Sequence, residues 1–147
     1  MQKAGLAFQR NRAIKGYLVS VSDMRTIPSR AGFLAARSNG EKALSRGLVI
    51  QAIKNEASQW RLGLTATKKI GNAVTRNRAR RRMRALARSY LVPLAQPGTD
   101  YVLIARHDTV NADWQDMAKG LQKAIRYLHR SINRSGTRQT VKASDQK

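Results

Sequence analysis

The side chains of this sequence best able to do chemistry are cations suited to phosphate. From Lys68 to Arg84 it reads KKIGNAVTRNRARRRMR, with eight basic residues and no acid. The acid-free interval is wider still, running from Glu56 to Asp100. Arginine outnumbers lysine here, and its planar fork suits bidentate contact with phosphate and stacking on bases. Asn77, between Arg76 and Arg78, can both donate and accept. Lys68, Lys69 and the backbone N–H groups around Gly71 and Asn72 form an anion-binding corner where a helix would begin. The corner is not a nucleotide P-loop, because the glycine-rich run and its following Lys-Ser/Thr are missing.

Groups that could cut a phosphodiester are scarce. A protein nuclease gathers carboxylates around metal ions or poises a histidine. The eight acids of this chain are scattered. Asp100 stands at a strand entrance, and Asp113 and Asp116 suit a helix cap and first turn. His107 and His129 stand apart and are assigned structural or exposed roles. With no cysteine, disulfides, thiolate chemistry and Cys-ligated zinc are excluded. No catalytic residue and no metal ligand set is therefore assigned to the protein.

The elements that must position the cations can be read from punctuation and period. Pro28 or Ser29 opens a short helix through Arg37, with Phe33, Leu34 and Ala36 available to its buried side, and Asn39-Gly40 stops it. Gly47–Ile53 reads as a strand by β-branched content, and Trp60–Thr67 as a second, kinked at Gly63. Asn72 caps the basic helix, whose stripe Ala79, Met83, Leu86 and Tyr90 must face a core. On the wheel, Arg81, Arg84 and Arg88 fall opposite that stripe with Asn77 and Arg80 nearby, and Arg78 lies on one flank. Arg76 and Arg82 border the stripe, with stems long enough to lie on apolar surface while the guanidinium reaches out. Pro93 ends the helix. Asp100–Arg106 is an inner strand, continuously apolar at its centre. Asp113 caps a last helix with the stripe Trp114, Met117, Leu121, Ile125 and Leu128. This order gives a mixed α/β layer with helices packed on a sheet. Residues 1–24 are expected to be a flexible basic extension, with Met24 a second candidate start. A single domain spans 25–130, and a disordered tail covers 131–147.

The formal charge of +21, from 29 Lys and Arg against 8 acids, makes a polyanion the natural partner. Arg76–Arg80, Arg78–Arg82, Arg80–Arg84 and Arg84–Arg88 are like-charge pairs at i,i+4, each costing about 0.2–0.5 kcal/mol. A solvated helix face would mix signs, so an anion is needed to offset these costs. No helix-turn-helix or zinc set points to DNA. A helix packed on a sheet, with clefts beside it, suits structured RNA, and composition alone favours RNA only mildly. The longest apolar runs fall far short of a membrane span. Arg10, Arg12 and Lys15 interrupt any signal-peptide core, so a cytoplasmic, non-membrane protein is expected.

From Arg61 to Arg88, RLGLTATKKIGNAVTRNRARRRMRALAR resembles the protein subunit of bacterial ribonuclease P. Thr67-Lys68-Lys69, Gly71-Asn72-Ala73-Val74, Arg76-Asn77-Arg78, Arg81-Arg82 and Arg88 occupy the places of the family's motif, and the likeness extends over about residues 25–130. It implies an α/β sandwich similar to a ribosomal-protein domain, with a left-handed β-α-β crossover. It implies a protein that assists a catalytic RNA in the magnesium-dependent removal of the 5′ leader from precursor tRNA. The RNA would carry the active centre and its Mg2+, and no obligate protein partner is implied. Lys68, Lys69, Asn72, Arg76, Asn77, Arg78, Arg81 and Arg82 would meet the catalytic RNA. The leader would lie in a cleft between the first helix and the sheet. Phe33 matches a cleft aromatic, Leu48 and Ile50 stand where the family often has first-strand aromatics, and Thr65 and Thr67 keep two hydroxyls. Arg37 replaces a second aromatic, so the cleft would hold the leader more by charge and aliphatic contact. The alternative is a ribosomal or RNA-chaperone module without processing activity.

Overall fold

The computed structural model describes residues 24–145 and a short antiparallel pair of strands, β1 (Ala13–Ile14) and β2 (Tyr17–Leu18), with side chains over residues 24–135. Most of the extension expected over 1–24 lies outside the described residues.

The chain enters the domain as β3 (Arg25–Thr26) and forms α1 (Arg30–Asn39), where the Ser29 hydroxyl accepts from the Gly32 N–H at the N-cap. Next come β4 (Glu41–Ser45) and β5 (Leu48–Lys54), a hairpin turning at Gly47 with φ +78°. β4 has no counterpart in the sequence reading. Glu-Lys-Ala-Leu-Ser has no β-branched residue, and it becomes a strand through pairing with β5. β6 (Arg61–Thr65) leads through a 3-10 turn at Lys68–Ile70 into α2 (Ala73–Leu86). β7 (Thr99–Ala105) and α3 (Trp114–Asp145) complete the chain.

The five-stranded sheet has the order β3-β6-β7-β5-β4. β6 and β7 are parallel, so β6-α2-β7 is a crossover unit, while β5 is antiparallel to both neighbours. β7 lies at the centre and is buried on both faces except at the half-buried Ile104, as its apolar run required.

The two faces of the sheet carry different layers. Leu48, Ile50, Leu62, Tyr101 and Leu103 pack with α2 (Ala79, Met83, Leu86) and α3 (Met117, Leu121, Ile125, Leu128) in the main core. On the other face Val102, Ile53 and Ile104 meet Ile27, Phe33 and Ala36 beneath α1. The α2 stripe follows expectation to Leu86. A π-helical turn over Ala87–Leu91 then adds a residue, with Val92 N–H bonding the Ala87 carbonyl at 2.9 Å. Leu91 therefore becomes fully buried where Tyr90 was expected, and Tyr90 is half-buried.

Asp113 caps α3 as anticipated, its carboxylate accepting from the Asp116 N–H at 3.1 Å. The tail expected from residue 131 is a continuation of this helix to Asp145. Ile132 extends the apolar stripe by one step and is buried, so packing carries the helix past the point where polar composition suggested disorder.

Candidate nucleic-acid interface

The corner before α2 is built by backbone geometry. Gly71 has φ +144°, and a Cβ there would meet the Thr75 side chain at 3.0–3.3 Å. Asn72 then adopts extended backbone and its Oδ1 accepts from the Thr75 N–H at 2.9 Å. Lys68, Lys69 and Thr67 are exposed around this turn. The two lysines thus sit beside the unpaired N–H groups that open α2, with no acid in its first turn.

Along α2 the arginines divide into three kinds. Arg78, Arg81, Arg84 and Arg88 are exposed and have no ion-pair partner among the described residues, where the one ion pair recorded is Arg61–Asp100. Asn77 is exposed beside them and its Oδ1 accepts from Arg80 at 3.3 Å, while Arg80 also reaches the Ala66 carbonyl at 3.5 Å. Arg76 is half-buried, with its Nε enclosed and without a hydrogen-bond partner.

Arg82, assigned to the RNA surface from sequence, turns toward the loop that follows β7. Its guanidinium donates to the carbonyls of Thr109 (2.7 Å), Val110 (2.5 Å) and Ala112 (2.8 Å) and lies 5.7 Å from the Trp114 ring centroid. The same loop is held from its other side, where the buried Thr109 hydroxyl donates to the Gly47 carbonyl and accepts from the Arg106 N–H. Arg82 is a clamp on the loop between β7 and α3. Asn72 likewise spends its acceptor on a cap.

The second surface lies under α1. Phe33 is half-buried against β6, and a Cβ at Gly63 would come within 2.5 Å of its ring, so glycine lets the ring rest on the strand. Residues paired across strands share a face. Leu44, Val49, Ile104 and Thr65 therefore form one row on the α1 side of the sheet. In that row Leu44 is 75% exposed and the other three are half-buried. Leu48 and Ile50, assigned to the cleft from sequence, are fully buried on the opposite face. On the α1 side β5 presents the half-buried Val49 and the buried Gln51. Thr65 is half-buried in this row, and Thr67, two residues on, is exposed. A one-residue change of phase moves a strand's side chains to the other face.

The buried acid is occupied structurally. Asp100 is buried and accepts two bonds from Arg61, both 2.7 Å, and one from Asn55 at 2.6 Å. The hydrogen bonds it donates to Asp100 raise the Arg61 pKa further above its already high usual value. His129 contacts the Tyr101 hydroxyl at 2.6 Å, and His107 is exposed. Among the described residues no three His, Asp or Glu side chains gather where they could hold a metal ion.

A ribonuclease P family model matches residues 22–129, a span that holds the five-stranded sheet, α1, α2 and the first half of α3. The chain belongs to the ribonuclease P protein family. The ribonuclease P protein component of Ruegeria pomeroyi is 42% identical over 113 residues, covering 74% of this chain and 89% of that one. That of Gluconacetobacter diazotrophicus is 41% identical over 103 residues, covering 68% and 87%. Solved RNase P proteins share the fold. The Staphylococcus aureus protein superposes with a TM-score of 0.59 at 24% identity, over 71% of this chain and 95% of its own. The Thermotoga maritima protein gives 0.58 at 24%, over 72% and 96%.

Proposed function

We propose that this RNase P protein holds the catalytic RNA on the outer face of α2 and the 5′ leader of precursor tRNA in the groove between α1 and the sheet. The observation that carries the reading is the exposed series Arg78, Arg81, Arg84 and Arg88 on a helix whose far side is fixed to the core. Four guanidinium groups within eleven residues, lacking acids, gain most from a phosphate backbone that releases counterions on binding. Arg78 and Arg81, together with Lys68, Lys69 and Asn77, form the contact set, and Arg84 and Arg88 extend it. The groove offers the Phe33 ring and aliphatic side chains to unstacked bases, with the Thr65 and Thr67 hydroxyls at its end.

Among the described residues no three His, Asp or Glu side chains gather as a magnesium site would require, and the Asp100 and Asp113 carboxylates already accept hydrogen bonds. The proposal therefore assigns phosphodiester cleavage and Mg2+ to the RNA, and to the protein the work of affinity and charge screening. No helix among the described residues is long and apolar enough to cross a membrane, and the reading places the complex in the cytoplasm.

The test is a cleavage assay with an RNase P RNA and precursor tRNA at low magnesium. Added protein is expected to accelerate release of the 5′ leader. RNA binding without any acceleration would instead favour a ribosomal or chaperone module.

A further inference from the structure

The last helix carries a basic face that the reading above leaves unused. The buried stripe of α3 runs through Met117, Leu121, Ala124, Ile125, Leu128 and Ile132. Winding at 100° per residue puts Lys119, Lys123, Arg126, Arg130 and Arg134 within about 80° of one another on the opposite side. All five are exposed, and none pairs with an acid among the described residues. Between Asp116 in the first turn and Asp145 at the end, the helix has no acid. The cations are spaced 4, 3, 4 and 4 residues apart, so the stripe is continuous over about 22 Å of helix. Each neighbouring pair is a like-charge i,i+3 or i,i+4 contact, which weakens an isolated helix. Tyr127 stands at the edge of the stripe, 47% exposed.

The placement matters as much as the charge. α2 and α3 lie in one layer on the same face of the sheet, and α1 lies on the other. α2 begins just after β6 and α3 just after β7, and those strands are parallel. Both helices pack on the same face of the sheet, so their outward faces look to the same side of it, and Arg82 of α2 meets Trp114 at the start of α3.

We propose that the outer face of α3 is a second RNA-contact surface, taking the phosphate backbone of a structured RNA alongside the segment held by α2. The inference rests on the reading of the chain as an RNA-binding RNase P protein. It assigns RNA contact to residues Lys119 to Arg134, outside the α2 motif. An acidic membrane surface could in principle take the same cations. RNA is favoured because the stripe has no apolar flank beyond Tyr127 to enter a bilayer interface, and because it shares a layer with α2.

The test uses full-length protein with Lys123→Gln, Arg126→Gln and Arg130→Gln combined. Binding to a transcript of the Ruegeria pomeroyi RNase P RNA is measured across a salt series, beside a reference variant carrying Arg78→Gln, Arg81→Gln and Arg84→Gln. The α3 variant is expected to melt like the wild type and to lower the slope of log K against log salt by about 2–3, as loss of three phosphate contacts requires. Replacing Arg126 and Arg130 by lysine should keep the slope, which a purely structural role for arginine would not. An unchanged slope in the α3 variant, with a reduced one in the α2 variant, would overturn the proposal and leave a merely solvated face. The same series on a short RNA duplex decides the α3 face even if the wild-type protein ignores the RNase P RNA, a result that would count against the family-based reading alone. Lost binding to phosphatidylserine vesicles with unaltered RNA slopes would assign the face to a membrane and refute the inference.

Discussion

Arg82→Ala separates an arginine that builds the protein from arginines that bind its partner. The side chain is half-buried and makes three charge-assisted bonds, of 2.7, 2.5 and 2.8 Å, to carbonyls of the β7–α3 loop. Such bonds contribute about 1.5–3 kcal/mol each when fully enclosed. Here water can reach the vacated carbonyls, so about 1 kcal/mol each is the better figure, and the contact with Trp114 adds about 0.5–1 kcal/mol. The expected loss is about 3–4 kcal/mol, or a fall in Tm of roughly 10–15 °C for a domain of this size. Circular dichroism melting measures it. At a temperature where both proteins are folded, the salt slope of RNA binding should match the wild type. Arg81→Ala should do the reverse, leaving Tm within about 2 °C and lowering the slope by about 1. If Arg82→Ala left melting unchanged and lowered the slope, the inward clamp would be wrong and Arg82 would belong with Arg78 and Arg81.

Two further substitutions probe the sheet. Ile50→Ala should cost about 2–5 kcal/mol in urea unfolding, because the side chain is fully buried under α2 and α3. Val49→Ala should cost much less, while weakening binding of a leader-bearing precursor tRNA relative to mature tRNA; equal leader effects at both positions would contradict the assigned faces. Tyr101 gives a pH signature. Burial pushes its hydroxyl up to about 12, from an unfolded value near 10. The neutral form is favoured in the folded state, so this contribution is complete below pH 10 and fades as pH rises toward 12. Tyr101→Phe removes the bonds to the Gln96 N–H and His129 and should be less stable at neutral pH. The gap to the wild type should then shrink by about 3 kcal/mol between pH 10 and 12. A constant gap across that window would argue against a buried, neutral hydroxyl.

How much was legible in the sequence depended on how local each signal was. The α2 cap at Asn72, the stripe through Leu86, the inner strand β7 and the start of α3 at Asp113 all rest on spacing within one element, and they appear as expected. β5 is apolar at Leu48, Val49, Ile50, Ala52 and Ile53, so alternation could not say which side faces α1. The helical wheel correctly put Arg82 at the border of the stripe. Its three acceptors lie 27–30 residues further along the chain, and only the folded loop reveals them. β4 owes its conformation to its partner strand, and the core contact of α3 past Arg130 to Ile132, which has no apolar neighbour to extend a run. The π turn moved one core position, from Tyr90 to Leu91, by adding a residue that periodicity does not contain.

The Thr67–Gly71 corner has a geometrical consequence. It joins the groove row, which ends at Thr65 on the α1 side, to the helix that begins at Ala73 on the far side. The two proposed RNA surfaces thus lie on opposite faces of the sheet, and the exposed Lys68 and Lys69 ammonium groups mark the edge between them.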